Sequence, residues 1–394
     1  MRRLLVVTYY APPLGLSGVM RVTKLCKFLP EFGWRPLLLT VKPVAYRGYD
    51  ENLLQDLREA RVFRTESFDP NRLYHLLRSR GRRQHPVLRN GVDHLARLLN
   101  SIAFPDAKIG WFPFASVAGR HIIDREKPAA VFATAPPFTS LLLGVRLKAH
   151  GHIPLVLDFR DPWPSGFRPP PRWQRSALRD LRRRLMEKAD LVLAVNEGTA
   201  KAIGGAVVLP NGFDPDDFQS NVEPLPGLSI VHVGNVFGDS GQILSFVRAL
   251  EQVPQARLYM VGGVDVKTRQ QLRNNKQVVM LGVLPHGQAC AMCKAGSVLL
   301  YVGKTGQPVG LKLYEYLGAG RPILVWGDGN EEAVAIVRSV GAGVDCGTNE
   351  GLVREFLTGR SLAEVDYSQH TSPFNRRLQA RWLAERLESL VVAS

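Results

Sequence analysis

The sequence predicts an α/β protein of two parallel-sheet domains in tandem. Three observations predict it. Strand-length apolar runs alternate with helix-length segments. The alternation starts afresh after a polar, Pro-rich stretch at residues 214–227. The chain of 394 residues is too long for one ordinary α/β core and comfortable for two.

In the first half, strands are expected at Leu4–Tyr10, Pro36–Val41, Ala130–Thr134, Leu155–Phe159, Leu191–Asn196 and Val207–Pro210. They are continuous apolar runs, as strands covered by helices on both faces should be. Residues 44–115 break the rhythm: Arg-rich and weakly periodic, they read as an insertion of helices and loops. The second series comprises Ser229–Val233, Arg257–Val261, Val278–Leu281, Val298–Val302, Pro322–Trp326 and Gly343–Asp345. An amphipathic helix at about Arg377–Val391 closes the chain, with Leu378, Trp382, Leu383, Leu387 and Leu390 spaced for one face.

Hydrophobic content of 45% and charged content of 22% exclude a disordered chain. No run approaches the roughly 18 apolar residues of a membrane helix. Met1-Arg2-Arg3 and the apolar residues after them imitate a signal peptide, but the run is short and turns at Pro12-Pro13, so a cytoplasmic location is expected. Four cysteines suggest no disulfide scaffold. Cys290 and Cys293 form a CxxC near His286; a zinc site needs a second ligand pair, none is visible, and the thiols read as core or helix residues.

The net charge of +16 is unevenly placed: residues 1–220 hold 34 Lys/Arg against 20 Asp/Glu, and residues 221–394 hold 17 against 15. Two tracts are densest: Arg72, Arg78, Arg80, Arg82, Arg83, Arg89 and Arg97, then Arg168 to Lys188. Such a face attracts phosphates, and an anionic membrane surface is the expected partner. No aromatic-interleaved basic strand supports nucleic-acid binding.

The first βα turn, Tyr9 to Arg21, is rich in small residues, which lets backbone N–H groups approach an anion. It is not GxGxxG, and the second strand ends Leu39-Thr40-Val41-Lys42 without the acid that would hold an NAD ribose, so a dinucleotide dehydrogenase is disfavoured. In Gly310-Leu311-Lys312-Leu313-Tyr314-Glu315-Tyr316-Leu317-Gly318-Ala319-Gly320-Arg321-Pro322, a glycine-rich entry opens a helix that Gly320 and Pro322 stop. The helix N-terminus suits a diphosphate, Lys312 adds a full charge, and Glu315 one turn on can accept hydrogen bonds from ribose hydroxyls. Asp158, Arg160 and Asp161 fall at the carboxyl end of a parallel strand, where open α/β sheets bind ligands. Nothing resembles Ser-His-Asp, HExxH or a P-loop lysine, and neither cofactor nor metal is expected.

The Gly310–Pro322 segment resembles the donor-site helix of retaining, family-4-like GT-B glycosyltransferases of the bacterial polysaccharide branch, whose pattern is two glutamates eight positions apart. Glu315 matches the second, while the first falls on Gln307. Tyr9 to Arg21, with Gly18, is similar to the family's N-terminal loop under the transferring sugar. Ala135-Pro136-Pro137, Asp158-Phe159-Arg160-Asp161-Pro162-Trp163 and Leu209-Pro210-Asn211-Gly212-Phe213-Asp214 match further segments of that branch. The family's Arg/Lys diphosphate clamp is absent: the stretch here is Gly234-Asn235-Val236-Phe237-Gly238-Asp239-Ser240-Gly241. Gly234, Asn235, Lys312, Leu313, Lys304 and Arg21 would then hold the diphosphate, and the base would lie near Gly282 to Pro285, at Val283.

The resemblance implies two Rossmann-like domains, residues 1–215 with a returning C-terminal helix at 372–394, and residues 216–371. The first would take the acceptor and the second the nucleotide diphosphate-sugar. It implies transfer with retention, without metal, to a lipid-linked or polysaccharide precursor, with Lys312, Asp161 and Arg160 catalytic. Activity should then survive excess EDTA. A second reading is a catalytically weak binding subunit, suggested by Gln307 and the missing clamp. A third, a nucleic-acid-binding protein, rests on the basic half alone.

Overall fold

The structure, a computed structural model, describes residues 1–15, 17–44, 49–69, 72, 75, 103–164, 172–238, 240–303, 309–359 and 370–393. The chain divides into two units: Met1–Pro210 with Gln379–Ser394, and Asn211–Leu378.

The first unit holds strands β1 (Arg2–Val7), β2 (Trp34–Val41), β3 (Arg61–Thr65), β4 (Ala130–Ala135), β5 (Leu155–Phe159), β6 (Leu191–Ala194) and β7 (Val207–Val208). They form one sheet in the order β3-β2-β1-β4-β5-β6-β7, and every pair is parallel. Strand β3 lies inside the stretch expected to be insertion. Its Arg-Val-Phe-Arg-Thr sequence carries no continuous apolar run because it forms the sheet edge and its residues are half-buried or exposed.

Successive residues of the buried strands divide between two cores, as the strand period of two requires. Leu5, Val7, Leu37 and Leu39 join one cluster with the helices Phe112–Glu126 and Thr139–Gly151. Leu4, Val6 and Leu38 join the other, with helix Ser17–Phe28 and the C-terminal helix Arg376–Ala393. Ala380, Leu383, Ala384 and Leu387 of that last helix are buried there, so the returning helix completes the first unit. Leu378, expected on the same face, is instead 42% exposed. Burial of each leucine contributes about 1.5–3 kcal/mol.

The second unit repeats the plan with β8 (Leu228–Val233), β9 (Ala256–Val261), β10 (Val278–Gly282), β11 (Val298–Val302), β12 (Ile323–Trp326) and β13 (Gly343–Gly347). Its all-parallel order is β10-β9-β8-β11-β12-β13. In each unit the strand order reverses once, between β1 and β4 and between β8 and β11. At such a point, neighbouring crossovers run to opposite faces and leave a crevice at the strands' carboxyl ends.

The basic tracts divide on inspection. Arg72 is no surface cation: it is 7% exposed and donates to Glu66 and to the Pro43 carbonyl. Arg78, Arg80, Arg82, Arg83, Arg89, Arg97 and Arg168 lie outside the described residues. Helix Arg172–Met186 is amphipathic, burying Gln174, Leu178 and Leu185 and exposing Arg172, Arg175, Arg179, Arg183 and Arg184. No helix among the described residues is long and apolar enough to cross a membrane.

Candidate functional site

In the second unit, the β8–β11 switch point brings together two of the residues expected to bind the donor, Gly234 and Lys312. Helix Leu311–Ala319 starts just past the end of β11, and Gly310, in extended conformation, stands at its N-cap with no side chain to cap it. Tyr316 seats this helix: its hydroxyl accepts a hydrogen bond from the Val233 N–H at 2.7 Å and donates to the Leu300 carbonyl at 3.3 Å. One phenol thus ties the helix to both strands of the switch point.

Lys312 lies in the first turn. Its Nζ donates to the Val302 carbonyl at 3.0 Å and sits 5.0 Å from the centroid of the Tyr301 ring. Gly234 follows β8 at φ +146°, and a Cβ there would lie 3.6 Å from Lys312 Nζ. Glycine therefore gives both the backbone angle and the space beside the ammonium. Beneath them His232 is 3% exposed and pairs with the Leu300 carbonyl. Burial, then the charge of Lys312, pushes its imidazole down to about 3, so it is neutral at ordinary pH.

Three other expected residues diverge. Asn235 is exposed, and its side-chain oxygen accepts from the Gly263 N–H at 2.7 Å, which fixes the loop after β8. Leu313 is fully buried in the core and donates its N–H to the Gly310 carbonyl, so it offers a ligand neither group. Val283 is 78% exposed. Gln307 and Lys304 lie outside the described residues. Glu315, half-buried, stands one turn beyond Lys312, with Oε1 3.8 Å from His286 Nδ1. Sequence reading gave Tyr316 no role and noted His286 only as a neighbour of the CxxC, four residues before Cys290.

In the first unit, the carboxyl ends of β1, β4 and β5 hold the other candidates. Arg21 is 1% exposed and Asp158 fully buried. Arg21 grips both Asp158 oxygens through Nε and Nη2, at 2.8–3.2 Å, and donates Nη1 to the Pro210 carbonyl. Thr134 Oγ1 adds a fourth bond to Asp158 at 2.7 Å. The guanidinium is spent inside the unit, which removes Arg21 from the donor contacts. Arg160 is likewise engaged: it donates to the carbonyls of Ala135, Pro136 and Gly18, tying the strand-end prolines to the start of helix Ser17–Phe28. A Cβ on Gly18 would come within 2.9 Å of Arg160 Nη1. Gly18 and Arg160 thus hold one another in place.

Asp161 differs from its neighbours. Among the described residues nothing donates a hydrogen bond to its side chain, and burial raises its carboxyl above the usual range against the opposing charge of Arg160. A half-buried carboxylate to which no described residue donates, at the carboxyl end of a parallel strand, keeps lone pairs that could accept from a hydroxyl.

Residues 18–212 match the glycosyl transferase 4-like domain family. No curated protein sequence matches the chain. Among solved structures, a glycosyltransferase from Rickettsia africae is similar with a TM-score of 0.66 at 15% identity, covering 100% of this chain and 99% of that one. HepE of Anabaena in complex with UDP and glucose gives 0.62 at 15%, covering 99% and 100%. Sucrose-phosphate synthase from Thermosynechococcus elongatus gives 0.63 at 15%, covering both chains fully. Residues 18–212 belong to the glycosyl transferase 4-like domain family, and the chain, with two parallel sheets that each have one switch point, has the GT-B fold of these neighbours.

Proposed function

We propose that the protein moves a sugar from a nucleoside diphosphate to an acceptor hydroxyl with retention of configuration. The observation that carries this reading is Lys312, fixed by the Val302 carbonyl at an uncapped helix N-terminus, with Glu315 one turn on. That arrangement offers cation and dipole to a diphosphate and a carboxylate to a ribose. The HepE structures, which hold UDP or UDP-glucose, support a nucleotide-sugar donor.

As the bond between the anomeric carbon and the phosphate oxygen breaks, its electron pair passes to the leaving diphosphate. Lys312 and the helix N–H groups stabilise that charge in place, without reorganisation and without magnesium or manganese. The acceptor oxygen bonds the same face of the sugar, and its proton goes to the departing phosphate. Asp161 receives a hydrogen bond from the acceptor, and Arg160, through Gly18 and Pro136, keeps the surrounding loops in register. The acceptor is a lipid-linked or polysaccharide precursor, and the exposed arginines of helix Arg172–Met186 hold the protein on an anionic membrane face.

The test is a thermal-shift panel of nucleotide sugars. A donor at about 100 times its dissociation constant stabilises by about 2.7 kcal/mol. Stabilisation by one nucleotide sugar, lost in Lys312→Ala, is expected; no response to any member overturns the reading.

A further inference from the structure

The start of helix His286–Ala295 converges with the short turn Pro215–Phe218 in the second unit. His286 and Cys290 stand four residues apart, on one helical face. Asp217 comes from the turn. His286 Nε2 lies 3.0 Å from Asp217 Oδ2 and 3.6 Å from Cys290 Sγ. The three ligand atoms all fall within 4.8 Å of one another.

The two separations at His286 Nε2 are close to the edges of a coordination tetrahedron. Bonds of about 2.3 Å to sulfur and about 2.0–2.1 Å to nitrogen or oxygen, opened to the tetrahedral angle, set the ligand atoms about 3.3–3.6 Å apart. Cys290 forms the buried floor at 2% exposure, and the side chains of His286 and Asp217, at 28% and 22%, form the mouth. The scaffold is braced, since Lys294, one turn past Cys290, donates to the carbonyls of Phe218 and Ser220 at 2.7 and 2.8 Å. Glu315 Oε1 lies 3.8 Å from the other ring nitrogen, Nδ1. A carboxylate on that side orients a metal-bound imidazole.

We propose that Asp217, His286 and Cys290 bind one zinc ion, with solvent in the fourth position. One thiolate, one imidazole and one carboxylate suit a borderline metal such as zinc, whereas magnesium and calcium take oxygen ligands. Binding releases the thiol proton, and thiolate and carboxylate together balance the ion's two charges. Cys293, the other half of the CxxC, is buried in the core and stands outside the trio. The ion pins the Pro215–Phe218 turn to the helix, so its loss is read first in stability.

The experiment titrates untagged, chelator-treated protein with zinc and with cobalt(II). One equivalent of zinc per chain is expected, with a melting temperature raised by about 5–10 °C at 100 times the dissociation constant. Cobalt should give a thiolate-to-metal charge-transfer band in wild type and in Cys293→Ser. Cys290→Ser should lose the band, and His286→Gln and Asp217→Asn should bind at least tenfold more weakly. Failure of the wild type to take up either metal at micromolar concentration overturns the proposal, as does a band that survives in Cys290→Ser. The wild-type titration and Cys293→Ser decide the question even where the other variants do not fold.

Discussion

The two switch points use their cations in opposite ways. In the first unit, Arg21 is closed around Asp158 and the Pro210 carbonyl, and Arg160 is shared among three backbone carbonyls. In the second, Lys312 has the Val302 carbonyl and the Tyr301 ring face, beside a glycine that keeps the space around its ammonium clear. The unit with the larger formal charge thus commits its central cations to its own scaffold, while the nearly neutral unit keeps one beside a helix N-terminus. Charge counted along a sequence measures neither what is available to a ligand nor where.

Seven substitutions and one treatment sharpen that contrast. The largest effect is expected from Arg21→Met, which leaves Asp158 buried without its partner; breaking a buried pair costs about 3–5 kcal/mol. Calorimetry should show the first unit destabilised, and an unchanged melting temperature would mean that the pair is not structural. Lys312→Ala should leave the fold intact and weaken nucleotide-sugar binding by about 1.5–3 kcal/mol, with nucleoside binding barely changed. Equal losses for both ligands would remove the diphosphate from its role.

Asp161→Asn should lower transfer about tenfold, the worth of one charge-assisted hydrogen bond at roughly 1.4 kcal/mol. Its carboxyl is raised by burial, so stability is full below the ordinary carboxylate range and declines as pH rises through the raised value. The Asn variant should therefore be at least as stable as wild type at neutral pH while being slower. A variant both slower and less stable would mark Asp161 as a structural residue.

Smaller still, each Arg→Gln at Arg175, Arg179, Arg183 or Arg184 should weaken binding to anionic vesicles by about 1 kcal/mol, an effect that fades with salt. Co-sedimentation that is indifferent to all four would leave helix Arg172–Met186 a solvated surface. Excess EDTA should change turnover not at all, and added magnesium or manganese should not raise it. Silencing by EDTA and rescue by magnesium would overturn the metal-free stabilisation proposed for Lys312.

Most of the fold was legible because buried parallel strands are continuous apolar runs; twelve were expected within a few residues of where they stand. The edge strand β3 escaped, since an edge strand need not be apolar on both sides. The places of Lys312 and Glu315 in the first turns of helix Leu311–Ala319 were legible from the helix entry and the one-turn spacing. Arg21 misled, because its partner Asp158 is 137 residues away and sequence does not show which cation a buried carboxylate will claim. Leu313 misled for a simpler reason: in a helix lying on a core, the residue next to a half-buried lysine can point inward. Asp217 could not be paired with His286 across 69 residues at all.

The return of residues 379–394 to the first unit has a consequence for how the chain acquires its shape. The sheet of the first unit is encoded by Pro210, yet the leucines that cover part of its β1 and β2 face, Leu383 and Leu387, follow 173 and 177 residues later. At about 5–20 residues per second of synthesis, that face waits roughly 9–35 s for its cover, while the whole of the second unit emerges. The second unit is contiguous and can fold as it appears. The first, though begun earlier, is finished last, and until then it presents an apolar face to whatever binds nascent chains. A fragment ending at Pro210 should therefore aggregate on refolding and be rescued by a peptide spanning 372–394; a fragment that stays soluble alone would show that the helix is dispensable for the sheet.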